Sequence, residues 1–372
     1  MINSHINSDS IPWIEKYRPN KLSDMAQNQH LLDFFKNSIA SGNLSHYLFY
    51  GPPGTGKTSA ILAIGREIFK EHFRQRVIEF NASDDRGIKA VRGKITNHAK
   101  KTVSEIVCED GTIIPGYKII ILDEADSMTD EAQDALRVII EQYSSVTRFC
   151  FICNYNSKIT DAIKSRCSPV YFKKLDESCM LDKLASIAKA ESMELDDNII
   201  NAIIDVSCGD MRKAIMMLQN LKYSFKSNEY TTKKINQMSL IELKNIPVIS
   251  GITMKRKDIT VSDIYHMAGS IPIKEAENIV KQVLKCTSIV QVSDISSDIV
   301  SSSWPIDAVM LQINNVILNS SKFSDYEKAL IINYSGKIVY RTIQCANEQI
   351  QITDYLSCIY GVKNNISLYM NI

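Results

Sequence analysis

Eight consecutive residues, Gly51-Pro52-Pro53-Gly54-Thr55-Gly56-Lys57-Thr58, fit the pattern Gly-x-x-x-x-Gly-Lys-Ser/Thr in full. No other feature constrains the fold as much, because this loop works only between a strand and a helix. Both are in place. The apolar run Tyr47-Leu48-Phe49-Tyr50 precedes it, and Ile61, Ile64, Gly65 and Ile68 follow at helical spacing. The glycines let backbone N–H groups wrap phosphates without side-chain clashes, and the helix adds the positive end of its dipole. Lys57 suits contact with β- and γ-phosphates, and Thr58 suits Mg²⁺. Motif and context together imply an ATP site; a Gly-rich turn with no ligand is the weaker reading.

Three further apolar runs read as buried strands: Val77-Ile78-Glu79-Phe80, Ile119-Ile120-Ile121-Leu122 and Phe149-Cys150-Phe151-Ile152-Cys153. Between the last two, Ala135, Leu136, Ile139 and Ile140 mark a helix. Strands alternating with helices predict βαβ units and a parallel sheet covered on both faces, here over about residues 11–172. The run Ile119 to Leu122 ends in Asp123-Glu124-Ala125-Asp126, which puts acids at the sheet's carboxyl edge, where ligands bind. Asp123 suits the Mg²⁺ shell. Glu124 suits the base that polarises the attacking water. Acids also favour helix starts, and Asp126 reads as such a cap.

After Lys173 the strand signal fades and the pattern becomes helical. Leu181, Leu184, Ile187 and Ala188 mark one helix, Ile199, Ile200, Ile203 and Ile204 a second, and Ile215 with Leu218 a third. The Lys-, Asn- and Thr-rich stretch 225–257 reads as a loop or insertion within a module spanning 173–260. From 261 to 372 the pattern is helical again, with breaks at Ser301-Ser302-Ser303 and Ser320-Ser321. Residues Met1 to Ser10 are polar, without a signal-peptide core, and predict a short disordered tail.

A formal net charge of +1 over 372 residues gives no hint of a nucleic-acid or membrane partner, so any basic surface must be local. Nine scattered cysteines point to reduced thiols and an intracellular protein. No apolar run approaches the ~18 residues of a membrane span, so no membrane partner is expected. Cys150-x-x-Cys153 invites a zinc or redox reading. No second pair follows at zinc-ribbon spacing. Three apart in a strand, the two thiols face opposite ways, which favours core packing.

Several segments, taken in order, resemble the small subunits of replication factor C, the sliding-clamp loader of archaeal and eukaryotic type. These are Trp13-Ile14-Glu15-Lys16-Tyr17-Arg18-Pro19, Asn81-Ala82-Ser83-Asp84-Asp85-Arg86-Gly87, Pro115-Gly116-Tyr117-Lys118, Asp123-Glu124-Ala125-Asp126-Ser127-Met128, Cys153-Asn154-Tyr155, Ser165-Arg166-Cys167 and Gly209-Asp210-Met211-Arg212. They span about residues 12–220. Beyond about residue 260 the likeness is weaker, and Asp258 to Pro272 resembles the family's lid-to-collar junction. The resemblance implies an α/β AAA+ P-loop NTPase domain with a parallel sheet, a small helical lid and an all-α C-terminal collar. It implies a heteropentamer with other clamp-loader subunits, which opens a sliding clamp and loads it onto primer–template DNA at the cost of ATP. A nuclear or replication-site location follows from the same likeness.

The resemblance also implies roles. Asn154 matches sensor 1, which holds the attacking water or the γ-phosphate. Arg166 matches an arginine finger that acts in trans on a neighbour's ATP. Arg212 matches sensor 2, on the lid. Tyr17, Arg18 and Pro19 are expected near the adenine. Arg86, Lys89 and Arg92 lie on a basic segment that would track DNA through its phosphates, although a solvated helix face reads as well. Ile88, Val91 and Ile95 beside them are expected to pack inward. Two other readings stand beside the clamp loader: a branch-migration motor, and a scaffold that binds ATP without turnover.

Overall fold

The four apolar runs fold as neighbouring strands of one parallel sheet. The computed structural model describes residues 11–27, 29–42, 44–83, 91–107, 113–223, 259–302, 304–344, 346–364 and 366. The tail Met1 to Ser10, the stretch 225–257, Arg86, Ile88 and Lys89 lie outside these residues, as do the side chains of Val91 and Arg92. Two compact units are formed, Met1–Ile246 and Pro247–Ile372.

The first unit is built on strands β1 (Tyr47–Tyr50), β2 (Val77–Asn81), β5 (Lys118–Asp123), β6 (Thr147–Cys153) and β7 (Ser168–Tyr171). A separate two-stranded ribbon joins β3 (Ile106–Val107) to β4 (Ile113–Ile114). The large sheet has the order β2-β5-β6-β1-β7, and every pairing in it is parallel. Strand β7 was not expected from the sequence. Its second residue is Pro169, which cannot complete a ladder, and the strand sits at the sheet's edge, where proline is tolerated.

Helices α1 (Gln29–Ala40), α2 (Lys57–Phe69) and α3 (Asp130–Tyr143) cover the sheet. Two buried clusters lie on its two faces. One gathers Phe35, Phe49, Ile61, Ile64, Ile119, Ile121 and Cys150. The other gathers Leu48, Ile95, Ile120, Leu122, Leu136, Ile140 and Cys153. Alternate residues of one strand enter opposite clusters, as a strand's period of two requires. Cys150 and Cys153 are therefore buried on different faces, and among the described residues no cluster of His, Cys, Asp or Glu is arranged to hold a metal. Ile95 packs inward, as expected.

The same unit continues into helices α4 (Glu177–Ala190), α5 (Asp197–Ser207) and α6 (residues 211–223). Of the residues that the apolar spacing singled out, Leu184, Ile187 and Ala188, then Ile200, Ile203 and Ile204, then Ile215 and Leu218 are buried, whereas Leu181 and Ile199 are half-buried; Met180, Ala202, Val206, Ala214, Met217 and Leu221 are buried beside them.

Among the described residues the regular structure of the second unit is helical: α7 (Val261–Ala268), α8 (Ile273–Lys285), α9 (Ile289–Ser301), α10 (Ile306–Asn319), α11 (Asp325–Ile343) and α12 (Glu348–Lys363). The two serine-rich breaks fall at the ends of α9 and α10. Helices α7 and α11 begin with reciprocal caps, Thr260 with Asp263 and Ser324 with Glu327. Helix α12 is buried on nearly every side, and α9, α10 and α11 pack around it. No helix of the described residues is long and apolar enough to cross a membrane.

Candidate functional site

Strand β1 ends at Tyr50 and the chain turns through the glycine loop into α2, so the loop lies at the carboxyl edge of the sheet. Three glycines there adopt positive φ: Gly51 at 142°, Gly54 at 69° and Gly56 at 89°. At two of them, space matters as much as conformation. A Cβ on Gly51 would lie 2.2 Å from the Phe172 carbonyl oxygen. A Cβ on Gly54 would lie 1.7 Å from Asp210 Oδ1. Asp210 starts α6: its Oδ1 accepts from the N–H groups of Arg212 and Lys213, at 2.9 and 3.2 Å. The Met211 N–H in turn donates to the Gly54 carbonyl at 3.3 Å. The helical module thus touches the loop directly, and it does so where only glycine fits.

Lys57 is 7% exposed. Its ammonium donates to the carbonyls of Gly51 and Pro52, at 2.8 and 2.7 Å, and to Asn154 Oδ1 at 3.1 Å. Burial lowers its pKa, and Asp123 nearby opposes that shift. The next side chain, Thr58, donates its hydroxyl to Asp123 Oδ2 at 2.7 Å. A hydroxyl and a carboxylate that converge on one point are hard oxygen donors, which suits Mg²⁺. Asp123 Oδ1 accepts from the Glu124 N–H at 2.8 Å. Glu124 itself holds a left-handed backbone with φ of 55°. For a residue with a Cβ that conformation costs roughly 1–2 kcal/mol, and such outliers cluster at functional sites.

Asp126 corrects the sequence reading. It is not a helix cap: it lies within the single 3-10 turn Ala125–Ser127, which Glu124 precedes, and Thr129 caps α3 through the Ala132 N–H at 3.3 Å. The Asp126 carboxylate instead accepts from the N–H groups of Asn154 and Tyr155, both at 3.3 Å. It thereby fixes the turn that carries Asn154. Burial, with Asp126 contributing, pushes the neighbouring Cys153 thiol up to about 12, so it stays protonated.

Two cavities meet at the loop. The smaller, of about 90 Å³, is lined by Pro53, Lys57, Thr58, Asp123, Glu124, Asn154 and Arg212 among others. The larger, of about 410 Å³, is walled on one side by Tyr17, Arg18, Pro19 and Met25 and on the other by Leu175, Lys183, Met211, Arg212 and Ile215. Gly54, Thr55 and Gly56 line both. An anion-binding pocket of oxygen donors and a lysine opening into a larger, more apolar cleft fits a magnesium-bound nucleoside triphosphate. Tyr17 lies against this cleft, but its hydroxyl is engaged, donating to Glu191 Oε1 at 2.5 Å. Arg18 pairs with Glu15 at 3.2 Å.

Arg166 is not part of this constellation. It lies two residues before β7, whose first residue Ser168 pairs with Tyr47 at the start of β1. The loop leaves from the other end of β1, so roughly 10 Å of strand separates the two sheet edges. At its own edge the Arg166 guanidinium forms an ion pair with Glu141 of α3, with Nε 2.7 Å from Glu141 Oε1. It also donates to the Ala162 carbonyl at 2.7 Å.

Three family models match the chain in succession. Residues 47–175 match the ATPase family associated with various cellular activities (AAA). Residues 182–222 match the RCF1/5-like AAA+ ATPase lid domain, and 271–358 the replication factor C C-terminal domain. A protein of Acanthamoeba polyphaga mimivirus, named for the replication factor C small subunits, is 59% identical over 97% of this chain and 99% of its own. Replication factor C subunit 2 of Schizosaccharomyces pombe is 38% identical over 94% of each chain. Replication factor C subunit 4 of Homo sapiens is 37% identical over 92% of this chain and 86% of its own.

Proposed function

The chain belongs to the replication factor C small-subunit family, and from that premise we propose that it is an ATPase subunit of a clamp loader. ATP binding assembles it with other subunits into a five-membered spiral that holds an open sliding clamp on primer–template DNA; hydrolysis releases the clamp. The observation that carries this reading is the likeness to replication factor C subunits over more than nine-tenths of the chain, together with Lys57, Thr58, Asp123, Glu124 and Asn154 gathered at one sheet edge. Relatives that align over more than nine-tenths of this chain bear replication factor C names, so a branch-migration motor is not favoured. The presence of Lys57, Thr58, Asp123, Glu124 and Asn154 around one 90 Å³ pocket argues against a scaffold that cannot turn ATP over.

In this reading the residues divide the work as follows. Backbone N–H groups of Gly54 to Thr58, running into the start of α2, hold the phosphates. Lys57 exchanges its contacts with the Gly51 and Pro52 carbonyls for phosphate oxygens. Thr58 and Asp123 hold Mg²⁺, whose charge offsets that of the phosphates. Glu124 orients the attacking water, and Asn154 holds that water or the γ-phosphate. Arg212 approaches the phosphates from the helical module. Tyr17, Arg18 and Pro19 flank the base. Arg166 serves the site of a neighbouring subunit, since its place at the opposite sheet edge denies it its own. Arg86, Lys89 and Arg92 supply phosphate contacts to DNA, a binding that is salt-dependent and indifferent to sequence.

The test is ATP turnover and clamp loading by the reconstituted complex, with and without DNA. DNA and clamp should stimulate the wild type. Lys57→Ala should abolish this chain's share of turnover, and Arg166→Ala should lower its neighbour's. Unchanged loading in both variants would sink the reading.

A further inference from the structure

Glu191 stands where its own helix gains nothing from it. It follows the last residue of α4, so its carboxylate lies at the negative end of that helix dipole. Its side chain is only 6% exposed, and a buried ion loses hydration. Ser192 beyond it has a left-handed backbone, with φ of 56°. An acid that breaks local rules in this way is held by something outside its element.

That something is a set of donors from two distant segments. Lys16 Nζ and the Tyr17 hydroxyl both reach Glu191 Oε1 at 2.5 Å. Lys222, near the end of α6, pairs with Glu191 Oε2. Burial alone would raise the Glu191 carboxyl, but the hydrogen bonds from Lys16, Lys222 and Tyr17 outweigh it and hold the group at about 2. The same two segments meet again nearby. The Trp13 N–H donates to Gln219 Oε1 at 3.1 Å, and the Lys222 ammonium lies 5.2 Å from the Trp13 ring centre.

We propose that Glu191 is a positioning residue for the nucleotide: it clips the segment 13–18 to the helical module and so sets the width of the 410 Å³ cleft. Tyr17 and Arg18 form one wall of that cleft and Met211, Arg212 and Ile215 the other. Glu191 joins the two bodies that carry these walls. Without its charge, Lys16 and Lys222 are left as like charges aimed at one point, and their repulsion opens the cleft on the adenosine side. The phosphate pocket is framed by the glycine loop and by β5 and β6, so it is not widened to the same degree. This inference rests on the reading of the cleft as an ATP site.

The experiment measures binding of ATP, ADP and inorganic tripolyphosphate to the full chain by calorimetry. Glu191→Gln should weaken ATP and ADP alike, by about tenfold, and leave tripolyphosphate within about twofold of wild type. Adding Lys222→Met should recover part of the loss, because it removes one of the two repelling charges. Wild-type ATP affinity in Glu191→Gln would overturn the proposal, and so would equal losses of ATP and tripolyphosphate. If Glu191→Gln does not fold, Tyr17→Phe is read instead. It removes one donor and should cost ATP about twofold to threefold with the same selectivity, and wild-type affinity there would overturn the proposal. A wild-type chain that binds no ATP, or a Lys57→Ala variant that binds it normally, would instead remove the site reading on which the proposal stands.

Discussion

Lys57 Nζ lies 3.1 Å from Asn154 Oδ1, so the end of β6 touches the lysine of the loop that follows β1. Two loop carbonyls satisfy the same ammonium. Lys57 therefore braces the loop, and Asn154 is held in register with it by Asp126 beneath. Loss of the Asn154 amide should leave phosphate binding largely intact and disturb the attack on it. Asn154→Ala is expected to keep ATP affinity within about threefold while kcat falls by roughly 100- to 1,000-fold, the range seen when one polar group at a transition state is removed. Equilibrium binding and single-turnover hydrolysis in the complex separate the two effects.

Gly54 offers a backbone test. Its φ of 69° disfavours any residue with a Cβ, and that atom would meet Asp210 Oδ1 at 1.7 Å. Gly54→Ala must push α6 away from the loop. We expect a stability loss of about 1–3 kcal/mol from strain and lost capping, read by urea unfolding. ATP affinity should fall by tenfold or about that amount, since Met211 and Arg212 move with α6.

Acid should unfasten the helical module. The Glu191 carboxyl at about 2 lies below the ordinary 4.5, so the folded state is favoured by its ionised form. That contribution is complete above pH 4.5 and is lost as pH falls from there toward 2. Lys16 is shifted the other way, upward from 10.5 by its hydrogen bond to Glu191, so its share is lost only in strong alkali. The stability difference between wild type and Glu191→Gln should be flat near neutrality and shrink steadily below pH 4.5. Urea midpoints measured across that range check it, and a difference that widens on acidification would contradict it.

Arg166 should behave unlike any residue around the loop. Because it lies at the other edge of the sheet, Arg166→Ala is expected to leave the ATP affinity of the isolated chain within about twofold of wild type. In the assembled complex, turnover should drop by roughly 10³-fold at the site that receives it. Mixing variant and wild-type chains at known positions would show which site is affected.

The parallel sheet, its two-faced core and the helical units were legible in the sequence because each rests on periodicity that the structure repeats. Ile119 to Leu122 could be read as a buried strand, and it enters both core clusters by alternation. Strand β7 was hidden because Pro169 masks its strand character. The loop, Asp123, Glu124 and Asn154 line one pocket, and that they meet was legible because each sits at a strand end, and strand ends are visible in one dimension. Asp126, Asp210 and Glu191 were missed or misassigned for the opposite reason. Their work lies in contacts with residues 28, 156 and 175 positions away, and an isolated acid carries no local sign of such a partner. Asp210 left one trace, as part of the Gly-Asp-Met-Arg segment.

The placement of Gly51 and Arg166 at opposite ends of β1 and β7 gives the protein a front and a back. If Arg166 serves a neighbour's site as proposed, such a subunit would receive at one side and deliver at the other, and copies joined through these sides would stand head to tail. Such a chain of subunits would have a direction and two unlike ends. The subunit at one end would hold a nucleotide that no neighbour completes, and the subunit at the other would offer an arginine that meets no nucleotide. A ring left incomplete in this way would have a gap with distinguishable lips, through which the proposed clamp and DNA would enter from the side.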